Sequence, residues 1–207
     1  MRRRGGNMKH WWTRPADYVL ELILGVALLL VGLFHVVLPV LGVAGPWASA
    51  DSREVRVDAA ARLPSGAAST AMTLRGTDRA ELVFADPGLG QRLPLVLPVV
   101  VGGLLISVVL VALLRMARTF RDGDFFVPGN TRRLTVVAVA LMLLGVLVPL
   151  LYMMTTNLLV RGEPMAAAIA PAQDYAVLPV FLAALAAAAA AAFRSGTRLR
   201  ADTEGLV

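Results

Sequence analysis

Glu21 and His35 are where any chemistry within the long apolar runs of this chain would start, because they are the ionisable side chains inside those runs. Ionisable groups placed in hydrocarbon relay protons, hold ligands or pair with a neighbouring helix. Fourteen residues separate the two, about 21 Å along a helix, so they cannot share a site. No second His, Cys or carboxylate shares the depth of His35, so no metal centre is expected. The plainer expectations are that Glu21 snorkels to the interface or pairs with Arg14 or a loop arginine, and that His35 hydrogen-bonds a neighbouring helix. The sequence contains no Gly-x-Ser-x-Gly, no phosphate-binding loop and no metal-binding His pair. Catalysis is therefore not expected, and neither is a cofactor. With no cysteine there is no disulfide framework, thiolate site or redox switch to consider.

The elements that carry these residues dominate the chain. Residues 18–41, 93–114, 134–156 and 175–193 are apolar runs near or above the ~20 residues that cross ~30 Å of hydrocarbon. The hydrophobic fraction of 57% exceeds the roughly 45–50% of soluble domains, and mean hydropathy is +0.71. The expected fold class is an all-α membrane protein with four transmembrane helices. A small β-rich extracytoplasmic segment, 42–92, lies between the first and second. Ala48-Ser49-Ala50 has the form of a signal-peptidase site. The run before it is 24 residues long, beyond the ~7–15 of a signal core, which predicts an uncleaved anchor.

The net charge of +6 is chiefly a topology signal. Residues 1–17, 115–133 and 194–207 hold 13 of the 20 Lys and Arg; 42–92 and 157–174 hold the other seven, among eight acids. The positive-inside bias predicts a bacterial cytoplasmic (inner) membrane protein with both termini and the 115–133 loop in the cytoplasm. The expected partner of those arginines is a lipid bilayer with an anionic inner leaflet, and direct nucleic-acid binding is not expected.

Within the first span, Glu21, Gly25, Leu28, Gly32, His35 and Pro39 recur at steps of 4, 3, 4, 3 and 4, one face of a regular helix. Small residues on that face predict close helix packing at Gly25 and Gly32, and Gly103 with Ser107 forms a second small pair. Alternation over 54–58, and two runs at 70–74 and 80–85 flanking a turn at 75–79, predict two or three short strands. So few large apolar side chains cannot form a core alone, so the strands should rest on the outer helix ends. Asn130 or Thr131 is the expected cap of the third span.

The loop after the second span carries Phe120, Arg121, Gly123, Phe125 or Phe126, Asn130, Arg132 and Arg133; the tail carries Phe193, Arg194, Gly196, Leu199, Asp202, Glu204 and Gly205. In these residues the chain resembles the bacterial four-helix membrane family known as domain-of-unknown-function family 2975. That family has a Glu two residues before the tail Phe, where this chain has Ala191, so that residue's role does not carry over. The resemblance implies no established activity. It does imply a partner: members often accompany small helix-turn-helix regulators, which looks like a membrane partner for a transcription factor.

The basic patch formed by Arg115, Arg118, Arg121, Arg132, Arg133, Arg194, Arg198 and Arg200 has two readings. Topology and lipid headgroups account for such a patch. The acids interleaved with it, Asp122, Asp124, Asp202 and Glu204, fit a protein-docking surface better than a lipid anchor. The expected function is a regulatory or interaction partner that docks a cytoplasmic protein on 120–133 and 193–204. The alternative is an accessory transport subunit, or a homo-oligomer forming a transporter or channel; no single span has a polar stripe fit to line a pore.

Overall fold

The computed structural model describes residues 13–44, 51–57, 72–76, 79–121, 127–169 and 176–204. Helix α1 (Thr13–Val31) passes through a π-helical turn (Gly32–Val37) directly into α2 (Leu38–Ala44). After the strands come α3 (Leu89–Arg121), α4 (Pro128–Leu159) and α5 (Val177–Glu204). Among the described residues four helices, the first formed by α1 and α2 together, are long and apolar enough to cross a membrane. Their outward faces present Leu22, Ile23, Leu29, Val139 and Phe181, an exposed apolar surface that hydrocarbon must cover. α1 packs on α3, α3 on α4, and α4 on α5.

The helices outrun their apolar runs. At 33 residues α3 is about 50 Å long, against ~30 Å of hydrocarbon, so its surplus projects beyond the span. It starts at Leu89, which puts Pro94 beyond the first turn and not at the entry. α4 starts at Pro128 with Val127 as its cap, ahead of the expected Asn130 or Thr131. Proline suits the first helical position because its φ is already helical and its missing N–H has no partner there. α5 continues through Phe193 to Glu204, so the tail is a helical extension.

Strands β1 (Ser52–Arg56), β2 (Met72–Gly76) and β3 (Arg79–Phe84) form an antiparallel sheet in the order β1-β3-β2. Gly76 lies opposite Ala80, so the β2–β3 connection falls inside the turn expected at 75–79. Along β1 the period of two buries Arg53 and Val55 and exposes Ser52, Glu54 and Arg56. Val55, Ala80, Leu82 and Phe84 pack with Leu95 of α3, Leu159 at the end of α4, and Met165 of the 3-10 turn Pro164–Ala168. The sheet therefore takes its core from the helix ends. At the opposite end Met116, Leu134 and Ala190 form a second cluster with Phe120 and Phe193.

Candidate functional site

The two ends of the helices carry different chemistry. At the end away from the sheet, Arg121 on α3 pairs with Glu21 on α1 at 2.8 Å, and Arg118 stands 3.9 Å from the other carboxylate oxygen. The Arg121 guanidinium also lies 5.3 Å from the centre of the Tyr18 ring. Glu21 is thus a clasp between α1 and α3. Phe120 and Phe193, 73 positions apart in the chain, bring their ring centroids within 6.4 Å of each other. That contact joins the end of α3 to the start of the α5 extension. Arg133 on α4 donates from one nitrogen to the Arg115 carbonyl, to Thr119 Oγ1 and to Oδ1 of the buried Asn130. Its role in the fold is to tie α4 to α3.

Arg132, Arg194 and Arg198 are exposed at this end, and Gly196 is half-buried on α5. Arg200, Asp202 and Glu204 fall on the helical backbone of α5, with side chains outside the described residues. Gly123, Phe125 and Phe126 lie outside the described residues altogether. Arg115, Arg132 and Arg133 border a cavity of about 680 Å³ between α3 and α4, walled by Leu104, Val108 and Val136.

The stripe expected on the first span needs correcting. Glu21, Gly25, Leu28 and Gly32 do share a half-buried side. A Cβ built on Gly25 or Gly32, however, meets nothing within 4 Å, so neither glycine marks a close approach. The close approach is at Gly103, where a Cβ would stand 2.7 Å from the Cβ of His35 and 2.9 Å from its carbonyl oxygen. His35 meets α3 through its Cβ and its main-chain carbonyl while the residue as a whole stays exposed, and its ring makes no hydrogen bond among the described residues. The cause is the π-helical turn: Leu38 N–H bonds the Leu33 carbonyl, five residues back. A five-residue bond rotates the next turn of helix away from a 3.6-residue period. Ser107, half-buried, turns its hydroxyl to the Gly103 carbonyl of its own helix at 2.8 Å.

The sheet end holds a residue that sequence reasoning missed. Arg53, on the inward face of β1, is 6% exposed. Its Nη1 donates to Thr155 Oγ1 at 2.7 Å and Thr156 Oγ1 at 3.1 Å. Its Nη2 donates to the carbonyls of Pro94 at 2.6 Å and Leu95 at 2.8 Å. The Tyr152 ring centre lies 5.1 Å from the guanidinium carbon. Thr155 can accept because its own O–H is committed to the Leu151 carbonyl. Burial pulls the Arg53 pKa below the ordinary guanidinium value, with Tyr152 acting weakly the other way; an arginine still carries its proton at neutral pH. No carboxylate pairs with this cation among the described residues. The sequence signal was its place, two residues before Val55 in an alternating strand, where an inward arginine is out of keeping with an apolar face.

A family model described as a protein of unknown function, DUF2975, matches residues 63–207. The match takes in α3, α4, α5 and two strands, and leaves α1, β1 and Arg53 ahead of it. No curated protein and no solved structure matches the chain.

Proposed function

Because the chain belongs to the DUF2975 family, whose description assigns no role, we propose its function from the site: a membrane-anchored regulatory partner that docks a soluble protein at the end away from the sheet. The observation that carries this reading is the contact of Phe120 with Phe193. It makes one surface of two segments that are far apart in the chain. In this reading the protein sits in a bacterial cytoplasmic membrane with both termini inside, as the distribution of arginines favours. A small helix-turn-helix regulator is the specific partner, which the family resemblance suggests.

The arginines divide between two tasks. Arg115, Arg132 and Arg133 border an apolar-walled cavity, a setting that suits an anionic lipid headgroup. Arg194 and Arg198 are exposed on the α5 extension, which reaches about 16 Å beyond Phe193. Both are placed to meet a protein. The test is capture of a co-expressed small helix-turn-helix protein from detergent with the bilayer removed. Charge reversal at Arg198 and Arg200 should abolish capture and leave membrane insertion intact. Capture that survives both reversals, or no capture by the wild type, would remove the reading.

A further inference from the structure

We propose that the cavity beneath β1 binds an amphiphile with one anionic head and a hydrocarbon chain, its head held at Arg53. The cavity is about 690 Å³, within the ~300–1,000 Å³ of small-molecule sites. Its wall changes character along its length. Ser52, Arg53 and Thr156 line it near the sheet, and Val99, Leu144 and Val148 line it toward the middle of the helices. Leu144 and Thr156 stand 12 residues apart on α4, about 18 Å, enough to take a chain reaching through one ~15 Å leaflet.

The charge selects the head. Arg53 is buried, and its four Nη hydrogens all go to neutral acceptors. A neutral side chain could tie β1 to those same carbonyls and hydroxyls. A positive charge strengthens each of these hydrogen bonds, but burying one without a counterion is costly. An anion in the cavity supplies the missing charge, and the guanidinium Nε–H, which has no acceptor among the described residues, is a donor for it. Glu54 and Arg56, the other charged residues lining this cavity, are exposed and opposite in sign. Arg53 therefore sets its net charge. The predominance of apolar lining excludes a small hydrophilic anion as the natural occupant. This site lies at the opposite end from the docking surface and stands independently of it.

The experiment uses the full chain in phosphatidylcholine nanodiscs, titrated with dansylaminoundecanoate and read against empty discs. Palmitate should displace the probe with an apparent Kd at least tenfold below that of methyl palmitate. Stronger displacement by palmitate assigns a free fatty acid, and stronger displacement by lysophosphatidate assigns a lipid phosphate. Arg53→Met should lose binding. Leu144→Trp fills the cavity without touching the Arg53 hydrogen bonds, and should weaken binding at least tenfold with an unchanged melting temperature. Equal displacement by the acid and its methyl ester would overturn the proposal. So would wild-type affinity in Leu144→Trp, or no signal above empty discs.

Discussion

Arg53 fills the hydrogen bond that Pro98 withholds. In a regular helix the Pro94 carbonyl accepts from the N–H four residues on. That residue is Pro98, which has no N–H, and the open carbonyl instead accepts from Arg53 Nη2 at 2.6 Å. Pro98 is fully buried, so water is a poor substitute. A proline in α3 and an arginine in β1 thus solve each other's problem. One needs a donor and the other needs acceptors, and the sheet is fixed to the helix ends as a result.

This pairing predicts non-additivity. Arg53→Met should lower stability by about 2 kcal/mol or more, because hydrogen bonds to a charged group are worth roughly 1.5–3 kcal/mol each and several acceptors lose their donor. Pro98→Ala restores an N–H for the Pro94 carbonyl. In the Arg53→Met background it should therefore recover part of the loss, with a coupling of at least about 0.5 kcal/mol in a double-mutant cycle. Strict additivity in thermal unfolding would show that the two residues do not share the carbonyl.

The clasp between α1 and α3 should be weaker. The Arg121 side chain is 34% exposed and Arg118 is 58% exposed, so solvent screens their attraction to Glu21. Glu21→Gln should cost no more than about 1 kcal/mol, and the cost should shrink as salt rises. Arg121→Ala should cost more, since it also removes the contact with the Tyr18 ring. Melting curves at low and high salt would check both, and equal effects of the two substitutions would deny the ring contact any weight.

The four spans were legible because length and apolarity are additive along a sequence and need no tertiary information. The β2–β3 hairpin was legible from alternation around a turn, and the dependence of the sheet on the helix ends from its shortage of large apolar residues. Distance was not legible. A period of 3.6 shows that Gly25 and Gly32 share a side, but not whether anything touches them. The step count assumes a regular helix, and the π-helical turn is why it fails at His35. Arg53 was lost among six arginines in 42–92, which a topology count treats as equivalent. Its role depends on Thr155, 102 residues away.

Orientation gives a separate prediction. Alkaline phosphatase fused at residue 60 should be active, and fusions at residue 125 and at the C-terminus should be inactive, because the basic segments hold these parts inside. A tail that protease removes from intact cells would reverse the whole assignment, and with it the side on which a soluble partner could dock.

The glycines give the sharpest contrast, because the same substitution should change sign with position. At Gly25 an added methyl meets nothing within 4 Å, and alanine is the better helix former, so Gly25→Ala should be neutral or stabilise by up to about 1 kcal/mol. At Gly145 the methyl would stand 2.6 Å from Cγ2 of Val180, a side-chain atom that can move at a rotamer cost, and 3.3 Å from main-chain atoms of Ala176 and Val180, less close than the main chain at Gly103. At Gly103 it meets the Cβ and the main-chain carbonyl of His35, and a backbone cannot step aside without shifting the π-helical turn against α3. Gly103→Ala should therefore destabilise by about 1–3 kcal/mol, the usual cost of overpacking, and by more than Gly145→Ala. Unfolding of the three variants in one detergent gives the ranking, and a Gly103→Ala protein as stable as Gly25→Ala would mean that α1 does not lie against α3 at His35.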